Sequence, residues 1–174
     1  MSEETGNTEN TGGEAAAAEE GVQIAILGQY IKDMSFENPT PAQTLQKLNT
    51  EKPAMDINVN LGARPVGEDV FEVDLKITST AKVGEDTAFV VELVYSGLFA
   101  AKNLPENTLQ PFLMIEAPRQ MFPFARRIIA DVTRDGGFPP LMLEPIDFAA
   151  LYQQQMQQAQ AQQAEAPTED ITVN

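Results

Sequence analysis

Four stretches of the chain alternate apolar and polar side chains with the period of two that marks a β-strand with one covered face. Val22–Phe36 sets Ile24, Ile26, Tyr30 and Met34 against Gln23, Gln29, Asp33, Ser35 and, just beyond, Glu37, with Leu27 and Ile31 out of phase. Met55–Leu61 sets Met55, Ile57, Val59 and Leu61 against Asp56, Asn58 and Asn60. Val70–Val83 sets Phe71, Val73, Leu75 and Ile77 against Glu72, Asp74, Lys76 and Thr78. In Thr87–Phe99, Phe89, Val91, Leu93 and Tyr95 form one apolar face, but the other reads Val90, Glu92, Val94. A carboxylate between two valines fits a surface built to touch a partner. It fits equally a strand buried on both faces with one glutamate caught between them.

Short turns at Arg64–Gly67 and Val83–Asp86 predict antiparallel hairpins. The link from Asn38 to Pro53 is longer, contains Pro39, Pro41 and Pro53, and must cross over. The outward positions Asp33, Glu37, Asp56, Glu72, Asp74 and Glu92, opposed by Lys76 and Lys82, make an acidic sheet face. Such a face is either a solvated surface or a docking surface, and the flanking valines favour docking.

From about Thr108 to Arg134 the period lengthens to that of a helix. Met121, Phe122, Phe124, Ala125, Ile128, Ile129 and Val132 fall on one side, with Arg126, Arg127, Asp131 and Arg134 on the other. Pro111, Pro118 and Pro123 should kink it. Upstream, Phe112, Leu113, Met114 and Ile115 are apolar all round. With Met121 and Phe122 they are expected to meet a second copy of the chain, the other reading being a core helix under the sheet. Gly136-Gly137 ends the helix. An extended run Phe138–Leu143 and a second helix from Pro145 follow. With the proline-rich crossover they are expected to wall an apolar groove lined by Leu45, Leu48, Met55, Leu141, Met142, Phe148, Leu151 and Tyr152, or else to pack as satellite core. The expected class is α+β: a four-stranded antiparallel sheet with a long helix and a shorter C-terminal helix on one face.

Composition narrows the chemistry. The chain has 174 residues and no His, Cys or Trp. That removes the commonest general base, thiolate chemistry, disulfides and nearly all zinc sites. It carries no Gly-rich phosphate loop, no GxSxG and no metal-ligand spacing, so no enzyme, cofactor or metal is expected. The net charge is −15, which repels nucleic acid and anionic membrane and favours a basic protein partner. Residues 1–20 hold Glu3, Glu4, Glu9, Glu14, Glu19 and Glu20 with no base, and read as a disordered acidic tail. Residues 157–174 read as a disordered Gln-rich and acidic tail, leaving 21–156 as the folded domain. No signal peptide or membrane span is visible, so a cytoplasmic protein is expected.

Four segments carry a family resemblance: Tyr30–Pro39 (YIKDMSFENP), Gly84–Glu92 (GEDTAFVVE), Phe122–Arg126 (FPFAR) and Gly137–Phe148 (GFPPLMLEPIDF). In this order they resemble the SecB protein-export chaperone family over about Val22 to Gln155. The resemblance implies α+β subunits in a homotetramer, a dimer of dimers, without ATPase activity or cofactor. It implies a cytosolic holdase that keeps secretory preproteins unfolded along apolar grooves and hands them to SecA, the motor of the Sec translocase. The family's docking positions for the basic, zinc-bearing tail of SecA correspond to Asp33, Glu37, Val90 and Glu92; the zinc is the partner's. The crossover Ala42–Pro53 carries leucines and no aromatic ring. Two other classes stay open: a SecB-like chaperone dedicated to one partner such as a toxin–antitoxin pair, and a small-ligand-binding sheet module.

Overall fold

The computed structural model describes residues 21–165, with side chains through 160. The tail expected at 1–20 and residues 166–174 of the expected C-terminal tail lie outside the described residues. Strands β1 (Gln23–Glu37), β2 (Ala54–Gly67), β3 (Val70–Val83) and β4 (Asp86–Lys102) form one antiparallel sheet in the order β1-β4-β3-β2. The two short turns make the β2–β3 and β3–β4 hairpins. The crossover carries the chain from β1 at one edge to β2 at the other. It contains the short helix α1 (Pro41–Lys47), which starts on a proline, whose missing N–H has no intrahelical acceptor at that position anyway. Lys47 Nζ donates to Asp86 Oδ2 at the start of β4, fastening the crossover to the hairpin end.

Two details of the sheet differ from the sequence pattern. The first hairpin turn is Glu68-Asp69, not Arg64–Gly67: β2 runs on through Pro65 to Gly67, which pairs with Val70. An edge strand tolerates Pro65 because it need not donate on its open side. Asp69 takes the left-handed conformation that the tight turn requires, at φ 54°. The second difference is in β1, where the pairing with β4 slips between Ile26 and Gly28 and again between Ile31 and Asp33. Each bulge inserts one residue, Leu27 or Lys32, and reverses the in–out phase. Ile31 therefore lies opposite inward Tyr95, and Gln29 opposite Gly97. Tyr30, expected to face inward, lies opposite Ser96 on the outer face.

The inner face carries the helices. Helix α2 (Glu106–Pro111), a π-helical turn (Phe112–Glu116) and helix α3 (Ala117–Asp135) follow end to end. Pro111 and Pro118 flank the wide turn, where a missing N–H and a bulky ring are accommodated. Pro123 sits inside α3 without ending it. Met121, Ala125 and Ile129 of α3 are buried on Val91, Leu93 and Phe99 of the sheet layer. Phe124 departs from the expected stripe: it is 47% exposed, with its ring near Tyr95. The helix closes in a Schellman motif, with Gly137 at φ +90°. Phe138 N donates to Thr133 O at 3.1 Å and Gly137 N to Arg134 O at 3.0 Å.

Helix α4 (Phe148–Glu165) begins under an Asp147 cap, whose Oδ1 accepts from Ala149 N and Ala150 N at 3.0 Å each. It runs past residue 157, because glutamine and alanine extend a started helix readily. Its first ring, Phe148, meets Phe122 edge to face at 5.9 Å. The set expected at an interface between copies is already largely covered in the single chain. Phe112, Leu113, Met121 and Phe122 are buried within the single chain, between the sheet below and the elements packed on the helix above. Only Met114 and Ile115 of that set stay half-buried. The larger uncovered apolar surface is on the inner side of β1, where Ile24, Ile26, Ile31 and Met34 are 42–47% exposed.

Candidate functional site

The outer face presents side chains from all four strands in register. Glu37 pairs with Val90 and Val90 with Thr80; Ser35 pairs with Glu92 and Glu92 with Thr78; Asp33 pairs with Val94 and Val94 with Lys76. The four predicted docking residues thus lie together across two adjacent strands, because directly paired residues of an antiparallel sheet share a face. Asp33 and Glu37 are exposed, Val90 and Glu92 half-buried. Lys76 Nζ stands 3.5 Å from Glu92 Oε2, a solvent-facing pair that holds little energy. Asp56 extends the patch on β2, opposite Thr80. The second bulge makes this arrangement possible. Without it Asp33 and Glu37 would point into the helical layer.

Glu72 departs from the expected exposed acid: it is 5% exposed. Tyr30 Oη donates to its Oε1, Lys32 Nζ donates to Oε2 at 2.7 Å, and Arg64 Nε donates to Oε2 at 2.8 Å. Tyr30 and Lys32 reach it across β4 at Ser96, whose small side chain leaves room and donates to Asp74 Oδ1 at 2.6 Å. Lys32 also donates to Asp74 Oδ2 at 2.7 Å. The Lys32 ammonium, the Tyr30 hydroxyl and the Arg64 guanidinium hold the Glu72 carboxyl down from 4.5 to about 2. Two acids are thereby neutralised. The negative charge left on the face belongs to Asp33, Glu37, Asp56 and Glu92, the last offset in part by Lys76.

On the inner face, the crossover, the end of the β3–β4 hairpin and the segment after α3 enclose an apolar concavity of about 190 Å³. Leu48, Met55 and Leu141, three of the predicted groove residues, line it with Phe89, Phe138 and Pro140. Leu45 lies beside Gly137 at its edge. Met142 lines a second apolar hollow that continues along β2 with Ile57, Val59 and Ile146. Phe148 belongs to neither: it is 1% exposed and packed on Phe122. Leu151 and Tyr152 sit with it on α4, away from the concavity. Sequence reasoning missed the aromatic floor. The sequence pattern places Phe89 on the apolar face of its strand and Phe138 in the extended run, yet their rings meet at 4.9 Å and Phe36 stacks on Phe89 at 5.7 Å. A Phe immediately after Gly136-Gly137 was the available signal, since the glycine turn folds it back under the helix end. Among the described residues, no group of acids is placed to hold a metal ion.

A family model described as preprotein translocase subunit SecB matches residues 17–159. The chain belongs to the SecB family. Membership makes it a protein-export chaperone, and a chaperone family is not an enzyme class. It is 58% identical to the protein-export protein SecB of Zymomonas mobilis over 136 residues, 78% of this chain and 82% of that one. It is 52% identical to the SecB of Rhizorhabdus wittichii over 162 residues, 92% of this chain and 94% of that one. The fold is also that of a SecB-like chaperone of Mycobacterium tuberculosis solved with a ChAD peptide from an antitoxin. That match has a TM-score of 0.56 at 16% identity and covers 71% of this chain and 90% of the other. Among the described residues, no helix is long and apolar enough to cross a membrane.

Proposed function

We propose that this SecB-family chain is an ATP-independent cytoplasmic holdase that keeps secretory preproteins unfolded and passes them to SecA. The observation that carries the reading is the division of one sheet into two surfaces of opposite character. The inner side offers an apolar groove along the crossover and β2; the outer side offers Asp33, Glu37 and Glu92 around Val90. An unfolded chain buries apolar side chains in the first at about 25 cal/mol per Å². A basic segment of SecA pairs with the second, whose charge steers encounter. The two surfaces are on opposite faces of the sheet, so client and motor bind together without competing. The uncovered inner side of β1 supports assembly with further copies, as a dimer of dimers. Several grooves on one assembly then raise the overall affinity through effective concentration.

The concavity of about 190 Å³ is smaller than the usual small-ligand pocket and open along β2, which disfavours the small-ligand module. The test is a refolding assay without nucleotide: the protein is expected to delay refolding of a slow-folding preprotein in proportion to its concentration. Unchanged refolding kinetics would reject the holdase. A pull-down that recovers one partner instead of many preproteins would favour a chaperone dedicated to that partner.

A further inference from the structure

The segment Phe138–Asp147 forms the wall of both hollows yet belongs to no helix or strand. Pro139, Pro140 and Pro145 have no N–H to donate. Of Leu141, Met142, Leu143 and Glu144, Leu141 has a backbone N–H with an acceptor among the described residues: the hydroxyl of Thr133, at 2.9 Å. The same residue's carbonyl accepts from Phe138 N at 3.1 Å. Both backbone attachments of the wall to α3 therefore end on one residue.

Thr133 is 0% exposed and stands near the end of α3, one helical turn after Ile129 and Ala130. Its hydroxyl donates to Ile129 O at 2.9 Å, with Ala130 O at 3.1 Å as a second acceptor. That donation orients the oxygen's lone pairs outward from the helix, toward Leu141 N. A valine has the same shape and would pack equally well among these side chains. A buried hydroxyl on the helix contributes little by bonding back to its own turn. What the hydroxyl adds is the bond to Leu141, whose side chain lines the concavity.

We propose that Thr133 is a positioning residue for the client groove: its hydroxyl fixes Leu141 and with it the wall that an unfolded chain must pack against. The inference rests on the holdase reading. The experiment compares wild type, Thr133→Val and Thr133→Ser. Two quantities are measured: affinity for carboxamidomethylated lysozyme, a basic chain that stays unfolded, and hydrogen exchange at the Leu141 amide. Affinity for SecA is the control. Thr133→Val is expected to expose the Leu141 amide to exchange and to weaken client binding about tenfold, since a partly buried donor loses its acceptor and the wall its tie to α3. Thr133→Ser keeps the oxygen and is expected to stay within about twofold of wild type; SecA affinity should not move in either variant. Should the valine variant not fold, Thr133→Ala replaces it in the same comparison. Client binding by the hydroxyl-less variant equal to wild type, or a serine variant as weak as it, overturns the role of Thr133 alone. Wild-type protein that fails to bind the unfolded probe overturns the holdase reading and this role with it.

Discussion

Lys32 on the edge strand β1 lies 2.7 Å from Glu72 on β3, a contact that spans the full width of β4. Lys32 is the residue that the second bulge inserts, so it and Asp33 both reach the outer face. Tyr30 joins it from one side and Arg64 from β2 on the other, while Ser96 of β4 donates to Asp74, which shares Lys32 with Glu72, so all four strands meet in one cluster around two acids. The cluster thus ties the bulge to the centre of the sheet.

Glu72→Gln is expected to lower stability at neutral pH by about 1 kcal/mol, a modest figure because Lys32 and Arg64 keep contact with water. The pH dependence follows from a carboxyl lowered from 4.5 to about 2. A depressed carboxyl stabilises the fold above its unfolded value, and the contribution is lost as pH falls through the folded value. The gap in urea midpoint between wild type and Glu72→Gln should therefore be constant above pH 4.5 and close as pH falls toward 2. A gap that persists unchanged at the acid end would show that the carboxylate's charge is not its source.

Glu92→Lys should weaken SecA binding at least about tenfold while leaving client binding and thermal stability unchanged. The substitution places a second cation beside Lys76, in the centre of the patch formed by Asp33, Glu37 and Val90. The pair it breaks is exposed, so folding loses little. Calorimetry at two salt concentrations checks this: wild-type affinity should fall with salt more steeply than that of the variant. Equal affinities would remove Glu92 from the docking surface.

The strands, their hairpins and the acidic face were legible because period-two alternation and short turns report directly on a half-covered antiparallel sheet. The bulges in β1 were not. A bulge has no side-chain signature of its own, and its effect is to reverse the phase on which the reading depends. Leu27 and Ile31 stand out of phase in the pattern for that reason, and Tyr30, in phase with Ile26 by sequence, faces the opposite side. Glu72 reads as an exposed acid in the sequence because two of its partners, Lys32 and Tyr30, lie on β1, 40 and 42 residues away. Phe112 and Leu113 belong to a stretch that is apolar all round, and within the single chain the sheet on one side and α4 on the other cover them, tertiary contacts that helical periodicity cannot reveal. Half of the groove was legible as leucine and methionine near prolines. Its aromatic floor was hidden because Phe89 also satisfies the strand pattern.

Gly97→Ala should destabilise the fold by about 1–3 kcal/mol without touching either surface. A Cβ at this position would stand 2.7 Å from Phe99 Cε2 and 3.1 Å from Met121 Sδ. Both groups are fully buried and packed between sheet and α3, so neither can withdraw freely. Thermal unfolding is the check; a melting temperature equal to wild type would mean that the interior is looser here than these distances state.

The sequence pattern places Phe148 and Met142 in one groove, and truncation should separate them. Phe148→Ala removes a ring that is 1% exposed against Phe122 and should cost about 3–5 kcal/mol, detaching α4 from the helical layer. Met142→Ala alters a side chain that is 58% exposed and should change stability by less than about 0.5 kcal/mol while reducing affinity for an unfolded chain. Denaturant unfolding and client titration on both variants give the four numbers. A stable Phe148→Ala protein with weakened client binding would return that ring to the groove.

Assembly provides the last separation. If further copies cover the inner side of β1, a charge placed there should disfavour association without unfolding the chain. Ile26 is 44% exposed in the single chain, so Ile26→Asp removes little intramolecular burial. Light scattering of the wild type is expected to give a multiple of the 19.0 kDa chain mass, and Ile26→Asp a smaller species with the same circular dichroism. Phe112 offers no such test, because its substitution would damage the core at 7% exposure before it reached any interface. A wild-type mass of one chain would leave the apolar side of β1 without a partner copy and would reject the assembly. An Ile26→Asp protein as large as wild type would move the interface elsewhere, with the half-buried Met114 and Ile115 as the next positions to charge.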